Sequence, residues 1–379
     1  MTMRLFDTAR QDVVPFEPGR VVTMYTCGIT PYDSAHLGHA TTYLAYDVLQ
    51  RRLRELGHET RCVRNVTDVD DDILRKAREL GVHYLELAAE EIRRFDEQMQ
   101  ALGLLAAWAE PRATSAISDI LAVIDRVLQA GHAYVSGGAV YFDVSTFPRF
   151  GQVSHYSTAR MLELAAERGG NPDDPNKDDP LDFVLWQPSL PDEPAWSSRW
   201  GPGRPGWHVE CSALALRELG STIDLHGGGA DLIFPHHECE AAQSESATGK
   251  PFVRHWMHVG MVRLDGEKMS KSLGNLIFVG DLLKSHEASA VRLALLSHHY
   301  RLGWTYEDGL LARAEARLER WRRAGRGNAG IDAVRECLDD DLDTPRALEI
   351  LDEEADAGRG VASGARLLGV ELFPDRQAR

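Results

Sequence analysis

The chain has 379 residues, of which 43% are apolar and 26% are charged, and its formal net charge is −16 at pH 7. This composition is typical of a globular protein with a large core in one to three domains. A charge of −16 gives no general attraction to a polyanion, which argues against nucleic acid as the main partner. The sequence shows neither an apolar run that could span a membrane nor a signal-peptide pattern, so we expect a cytoplasmic protein without a membrane partner.

The first third of the chain predicts a parallel α/β unit. "RVVTMYTCGI" (20–29) is typical of a buried strand, a helical pattern runs from about His39 to a stop at Gly57, and "ETRCVRNV" (59–66) predicts a second strand. The next stretch, "TDVDDDILRKAREL", predicts a helix with Thr67 as its capping residue and an acidic first turn. Strand, helix and strand in this order indicate a parallel sheet.

The remaining two thirds alternate between regular and irregular patterns. Two helical segments are predicted over 85–130, and a short strand over 138–144. Residues 169–206 hold eight of the 17 prolines, which indicates an irregular stretch, either a surface excursion or a lid over a substrate. Apolar and glycine-rich segments resume at 207–280. The 107 residues after Ser272 are mostly helical in pattern and leave room for one small domain.

Two motifs are suited to bind phosphate. "HLGH" (His36 to His39) lies between the end of a predicted strand and the start of a helix, where free N–H groups and the helix dipole favour an anion. A His-x-x-His turn also serves for capping or packing. "KMSKS" (Lys268 to Ser272) places two lysines and two hydroxyls where they can clamp a triphosphate, although a lysine-serine loop is usually a solvated turn.

The cysteines and histidines suggest a metal site rather than disulfides. The five cysteines (27, 62, 211, 239 and 337) are odd in number and scattered, which favours reduced thiols or metal ligands. Two thiolates, an imidazole and a carboxylate form an ordinary zinc set, although single cysteines and histidines more often fill the core. An exchangeable position on zinc would select cysteine over serine by its affinity for sulfur. The candidate ligands are Cys27, Cys211, His236, His237, Cys239 and Glu240.

Five stretches in this order, "CGITPYDSAHLGHA", "NVTDVDD", "GRPGWHVECSA", "HGGGADLIFPHHE" and "DGEKMSKSLGN", resemble the class I cysteinyl-tRNA synthetase family over roughly residues 20–300. That family includes tRNA-charging enzymes and a branch that ligates cysteine to glucosaminyl-inositol in mycothiol biosynthesis. The resemblance implies an α/β fold with a Rossmann-like (HUP-type) parallel sheet. The predicted parts are the first half of the core (1–110), a connective insertion (111–206), the second half of the core with the KMSKS loop (207–280) and a helical C-terminal domain (281–379).

The wording of the motifs favours the ligase branch. "GITPYDSAHLGHATTYL" resembles that branch, "ERGGNP" (Glu167 to Pro172) is similar to its signature, and the short C-terminal part leaves little room for an anticodon-binding domain. A purely structural interpretation of "ERGGNP" is a helix C-cap formed by its two glycines. In contrast, "HHECEAAQSE" resembles the tRNA-charging branch, in which the position of Glu240 supplies a fourth zinc ligand. Whether Glu240 or Cys239 completes the set stays open.

The resemblance implies an ATP-dependent reaction through cysteinyl-adenylate that yields an amide, AMP and pyrophosphate. His36 and His39 would stabilise the α-phosphate, and Lys268 and Lys271 the pyrophosphate. One Zn²⁺ would be held by Cys27, Cys211 and His236, with Glu240 as the uncertain fourth ligand, and Mg²⁺ would accompany ATP. The residues implied to line the substrate and adenylate pocket are Cys27, Gly28, Ile29, Thr30, Thr42, Asn65, Val66, Thr67, Trp207, Gly229, Ala230, Asp231 and Val262.

The expected partners are ATP, L-cysteine and glucosaminyl-inositol, without nucleic acid, and we expect a monomer. Two other hypotheses remain. A compact enzyme that charges tRNA with cysteine would need a basic surface in the last 100 residues. A non-catalytic binding paralogue would have no need for both lysines of the KMSKS loop.

Overall fold

The computed structural model describes residues 2–32, 34–269 and 274–373. The strands in these ranges are β1 (Arg4–Asp7), β2 (Asp12–Pro15), β3 (Val21–Ile29), β4 (Glu59–Val66), β5 (Ala133–Ser136), β6 (Ala139–Phe142), β7 (Phe183–Pro188), β8 (Gly203–Pro205), β9 (Leu225–Gly229), β10 (Trp256–Val259), β11 (Val262–Leu264), β12 (Glu267–Lys268) and β13 (Trp304–Tyr306). The α-helices are α1 (Leu37–Glu55), α2 (Asp71–Leu80), α3 (Tyr84–Ala101), α4 (Ile117–Gln129), α5 (Thr158–Glu167), α6 (Trp207–Leu219), α7 (Glu238–Thr248), α8 (Val279–Ser285), α9 (Ala288–Leu296), α10 (Leu310–Ala324), α11 (Ile331–Asp339), α12 (Thr344–Asp356) and α13 (Ala362–Leu367).

A four-stranded sheet in the order β10-β9-β3-β4 lies at the centre, and its three strand pairs are all parallel. The apolar runs of β3 and β4 are mostly buried, as parallel strands covered on both faces require. This sheet confirms the predicted Rossmann-like α/β class. Because the strands are parallel, their carboxyl ends meet at one edge, where ligands bind in folds of this type.

The predicted strands 20–29 and 59–66 and the helix between them are confirmed by β3, β4 and α1. The expected cap of the next helix is wrong. Asp70, not Thr67, caps α2, and its carboxylate accepts the N–H of Ile73 at 2.9 Å. Thr67 is engaged elsewhere, since its N–H donates to the carbonyl of Ile29 and its hydroxyl accepts a hydrogen bond from Asn65.

The segment predicted as the insertion carries an antiparallel sheet, β5-β6-β7-β8. The expectation of an irregular stretch over 169–206 is therefore wrong for β7 and β8. The side chains of Phe183, Leu185 and Trp186 are buried and anchor β7, while the prolines lie at strand ends or in the loops beside them. The division of the chain into four parts remains a prediction.

Helices α8 to α13, together with β13, follow the core, in agreement with the helical pattern predicted for the C-terminal part. Buried ion pairs join them to α1: the guanidinium of Arg52 contacts Asp339 of α11 at 2.7 Å, and Arg292 of α9 contacts Asp47. A continuous apolar cluster runs from α1 through α9 to α13. Among the described helices, none combines the length and apolar character needed to cross a membrane.

Candidate metal and nucleotide site

The HLGH turn begins α1 and forms a reciprocal cap. His36 is the N-cap residue, and its Nδ1 accepts the N–H of Gly38 at 3.1 Å, while Nδ1 of His39 accepts the N–H of His36 at 3.4 Å. The two imidazole rings stack with centroids 3.9 Å apart. Both imidazoles thus lie at the positive end of a 19-residue helix, a position that favours anions, and Nδ1 of each ring accepts a backbone N–H.

Gly28 and Asn65 join the ends of β3 and β4. A Cβ atom on Gly28 would lie 1.5 Å from the carbonyl oxygen of Asn65, so no other residue fits here. The N–H of Gly28 donates to Oδ1 of Asn65 at 2.8 Å. The predicted residues Ile29 and Val66 are paired in register beside them, so the structure brings this part of the predicted pocket together at one edge of the sheet.

The carboxyl end of β3, helix α6, the turn Ile233–His237 and the start of α7 bring four predicted metal ligands together. One ligand atom each of Cys27, Cys211, His236 and Glu240 lies within 4.8 Å of the other three, and all four residues are buried. The two Sγ atoms are 4.0 Å apart, Sγ of Cys27 is 3.4 Å from Oε1 of Glu240, and Nε2 of His236 is 3.1 Å from the same oxygen.

These separations fit the edges of a zinc tetrahedron. With Zn–S bonds of about 2.3 Å, two sulfur ligands lie about 3.8 Å apart, and the edges that involve nitrogen or oxygen are shorter. Nε2 of His236 is buried and makes no well-aligned hydrogen bond within the described residues, although Glu240 is close. Two thiols, an imidazole and a carboxylate are also the donor types that zinc takes. The residues therefore fit a structural or substrate-binding zinc ion.

Burial controls the protonation of the cluster. It raises the pKa of the Cys27 thiol, with further contributions from Cys211 and Glu240, and it also raises the pKa of Cys211. Burial lowers the pKa of His236, so its imidazole is neutral and keeps a lone pair for a cation. The thiols lose their protons only when a positive charge compensates the buried thiolates, which couples ion binding to proton release.

Further histidines surround the cluster; sequence reasoning listed His237 among the candidate ligands but missed His226 and His208. Nε2 of His226 lies 3.0 Å from Oε2 of Glu240, and Nε2 of His237 lies 3.3 Å from Sγ of Cys27, so these four residues form a second, overlapping ligand set. Nδ1 of His208 lies 2.7 Å from Nδ1 of His236 and fixes its ring. Neither ligand set of the described residues includes Cys239. The sequence does place His208 and His226 within the motifs "GRPGWHVECSA" and "HGGGADLIFPHHE". However, the presence of a histidine in a motif does not show whether it binds the metal or only packs beside a ligand.

The end of β9, the turn after it, and the N-terminal parts of α1 and α6 carry further predicted pocket residues. A Cβ atom on Gly229 would lie 2.5 Å from Oδ1 of Asp231 and 3.9 Å from Oγ1 of Thr42, so these three residues are neighbours. Ala230 begins the short turn Ala230–Leu232 between them. Trp207, the first residue of α6, stacks on His236 with ring centroids 4.2 Å apart, and it therefore forms one wall of the metal cluster.

The remaining predicted residues are placed as follows. Thr30 lies near the α2 cap, where its side chain lowers the pKa of Asp70 against the larger effect of burial. Val262 is buried in β11 and pairs with Trp304 of β13. Lys268 lies in β12, opposite Arg263. Lys271 lies outside the described residues.

Comparison with known proteins agrees with this arrangement. Residues 13–316 match the family described as tRNA synthetases class I (C), catalytic domain. Among solved structures, the *Mycobacterium tuberculosis* methionyl-tRNA synthetase in complex with methionyl-adenylate has a TM-score of 0.67 at 17% identity, covering 93% of this chain and 88% of that one. The leucyl-tRNA synthetase of *Agrobacterium radiobacter*, in a ternary complex, has a TM-score of 0.60 at 12% identity, covering 95% and 87%. These two likenesses show the fold.

The parallel sheet, the HLGH turn and the family match define a class I synthetase catalytic domain. The chain belongs to the class I (C) tRNA synthetase family. Within it, the chain is 48% identical to the L-cysteine:1D-myo-inositol 2-amino-2-deoxy-alpha-D-glucopyranoside ligase of *Streptosporangium roseum*, over 98% of this chain and 96% of the relative. It is 49% identical to the ligase of the same name from *Thermomonospora curvata*, over 95% and 90%.

Proposed function

We propose that this protein uses ATP to join L-cysteine to the amine of glucosaminyl-inositol, through cysteinyl-adenylate, in mycothiol biosynthesis. The observation that carries the proposal is the cluster of Cys27, Cys211, His236 and Glu240, together with the HLGH turn that begins α1, in a chain whose relatives at 48% identity are named for this ligation. The cluster suits a thiol-bearing amino acid, and the turn suits the phosphates of ATP.

The residues of the cluster would hold one zinc ion, which when bound supplies a Lewis acid for the substrate thiolate. Cys27, Cys211 and His236 would be ligands in either branch of the family. The 3.1 Å and 3.4 Å distances from Oε1 of Glu240 to His236 and Cys27 support Glu240 as the fourth. The stacked ring of Trp207 covers His236 and would keep water from the thiol pocket.

The first step forms the adenylate. A carboxylate oxygen of cysteine attacks the α-phosphorus of ATP, and the bond to the pyrophosphate oxygen breaks. Because Nδ1 of both His36 and His39 serves the backbone, Nε2 is the nitrogen of each ring that would stabilise the α-phosphate. Lys268 and Lys271 would neutralise the departing pyrophosphate, and Mg²⁺ would arrive with ATP.

The second step forms the amide. The amine nitrogen of the sugar attacks the acyl carbon, the bond from that carbon to the phosphate oxygen of AMP breaks, and the amine releases a proton. Thr42, Gly229 and Asp231 would hold the ribose and adenine of the adenylate during this step, because they lie together beyond the HLGH turn. Thr30, Asn65 and Thr67 would line the same pocket from the ends of β3 and β4.

The charges on the helical part favour a sugar over tRNA. The guanidinium groups of Arg317 and Arg320 in α10 contact Asp352, and that of Arg322 contacts Glu287 and Glu319. These pairs leave less positive charge for a phosphodiester backbone, in line with the chain's net charge of −16.

The test offers purified protein with ATP and cysteine either glucosaminyl-inositol or unacylated cysteine tRNA. The proposal expects AMP release and a new amide with the sugar alone. Charging of the tRNA would overturn it and establish the tRNA-charging alternative. Cysteine-dependent exchange of pyrophosphate into ATP without transfer to the sugar would confirm the first step and refute the acceptor.

A further inference from the structure

The first residue after α5 contacts the loop that leads to the metal ligands. The guanidinium Nη1 of Arg168 donates to the backbone carbonyls of both Asp231 and Phe234. These carbonyls lie in the irregular passage between β9 and α7. Since one nitrogen binds both oxygens, Arg168 fixes the distance across the turn of residues 231–234.

The turn needs such a donor. Phe234 has extended dihedral angles (φ −140°, ψ 138°) between neighbours in helical conformation, so its carbonyl does not follow the helical hydrogen-bond direction. Helix α5 also makes apolar contacts with Phe234, whose buried ring packs among Met161, Leu164 and Ala165. Two independent kinds of contact therefore join α5 to the turn that precedes His236.

The glycines of "ERGGNP" explain why Arg168 lies at this point. Gly169 has φ +77°, and the N–H of Gly170 donates to the carbonyl of Ala165 at 2.7 Å, so α5 ends at Glu167 with Arg168 as its C-cap residue. A Cβ atom on Gly170 would lie 2.9 Å from that same carbonyl oxygen. The C-cap interpretation of this motif is therefore correct for its glycines, while the arginine has a separate contact.

Residues 153 and 154, which belong to the same predicted insertion as Arg168, contact the residue that follows His236 and His237. The buried carboxylate of Glu238 accepts the N–H groups of Val153 at 3.1 Å and Ser154 at 2.8 Å. Residues 111–206 thus contact the chain on both sides of His236 and His237, at the carbonyls of Asp231 and Phe234 before them and at the carboxylate of Glu238 after them.

We propose that Arg168 is a positioning residue for cysteine selection: by holding the 231–234 turn, it keeps the imidazole of His236 at the metal cluster. The inference rests on the proposed function, because the selected substrate is cysteine. His236 follows Phe234 by two residues, and a zinc site tolerates displacements of only about 0.2 Å in its bond lengths. Without the guanidinium, the partly buried carbonyls of Asp231 and Phe234 lose this donor, and the turn relaxes to find another.

The experiment compares Arg168→Ala and Arg168→Lys with the control Arg160→Ala. Arg160 lies on the same helix, but its side chain is 48% exposed and pairs with Glu163. Zinc affinity is measured by competition with a chelator, and the Michaelis constants for cysteine and ATP are measured by pyrophosphate exchange. For Arg168→Ala we expect about 10- to 100-fold weaker zinc binding and a similar rise in the KM for cysteine, the range found for outer partners of metal ligands. The KM for ATP should move less, and the lysine variant should recover part of the loss, because an ammonium group can still donate to both carbonyls.

Two outcomes would overturn the inference. One is a zinc affinity and a cysteine KM in Arg168→Ala equal to those of Arg160→Ala. The other is a lower kcat with both KM values and zinc affinity unchanged, as partial unfolding produces. If the alanine variant does not fold, the lysine variant against wild type gives the same comparison. Zinc affinity can be measured without turnover. An inactive wild-type protein would therefore refute the proposed function, while the zinc affinities of the variants would still test the positioning role of Arg168.

Discussion

The Sγ atom of Cys27 lies 3.4 Å from Oε1 of Glu240, although the two residues are 213 positions apart in the chain. Cys27 lies near the carboxyl end of strand β3, and Glu240 lies in the first turn of helix α7. They meet because β3 and β9 are adjacent parallel strands and the loop after β9 leads into α7. The site therefore depends on the assembled sheet rather than on any one motif.

Replacing Cys211 by serine should remove most of the bound zinc. A neutral hydroxyl cannot replace a thiolate as a zinc ligand, and the remaining donors leave the ion incompletely coordinated. Metal content per chain, measured after purification in zinc-containing buffer, tests this. Cys239→Ser is the matched control, since Cys239 is equally buried and lies next to Glu240 but belongs to neither ligand set. Equal zinc in the two variants would contradict the assignment.

Replacing Glu240 by glutamine decides the fourth ligand. If the carboxylate binds zinc, we expect zinc affinity to fall by at least about tenfold, the lower end of what outer partners alone contribute. Discrimination between cysteine and serine in adenylate formation should fall with it. Glu245→Gln serves as the control on the same helix, because its carboxylate accepts the N–H of Phe252 at 3.1 Å, away from the cluster. If the zinc affinity of Glu240→Gln is unchanged, Glu240 is not a ligand, and the protein supplies only Cys27, Cys211 and His236 to the zinc ion.

Two substitutions at His36 separate its capping role from its proposed chemistry. Asparagine caps helices well, so His36→Asn should keep the thermal midpoint but lower the adenylation rate by about 10²- to 10³-fold, the effect of losing one preorganised donor. His36→Ala should also lose about 0.5–2 kcal/mol of stability, because α1 loses its cap. Single-turnover adenylation and thermal unfolding are the measurements. An asparagine variant with the wild-type rate would show that His36 only caps the helix.

The Asp70 cap predicts a pH-dependent gain in stability for Asp70→Asn. Burial raises the pKa of Asp70 to about 6, above its value in an unfolded chain. The folded state therefore favours the protonated carboxyl. The wild-type protein loses stability as the pH rises from about 4, the usual pKa of an aspartate, to about 6, its pKa in the folded protein. Asparagine caps equally well and does not ionise. The variant should unfold at a higher temperature than wild type, by a larger margin at pH 7.5 than at pH 5. A margin that grows toward low pH would contradict this sign.

Local sequence patterns predicted the elements that carry the site. The apolar run of β3, the helical period of α1 and the glycine stop after it each depend on neighbours in the chain, so they could be found without the fold. The cap of α2 was mispredicted because Thr67 and Asp70 are both good caps. The choice between them follows from the contacts of Thr67 with Ile29 and Asn65, which are set by the register of β3 and β4.

Residue chemistry in the sequence offered six candidate ligands, Cys27, Cys211, His236, His237, Cys239 and Glu240, and the resemblance to the class I cysteinyl-tRNA synthetase family singled out Cys27, Cys211 and His236 among them. Only the tertiary structure decided that Glu240 rather than Cys239 faces the cluster, since adjacent residues of a helix point about 100° apart. It also brought in His226, showed that His237 lies against Cys27, and turned Arg168 toward the carbonyls of Asp231 and Phe234. Such contacts arise from the packing of distant segments, and the spacing of residues along a chain carries no record of which distant backbone groups need a donor.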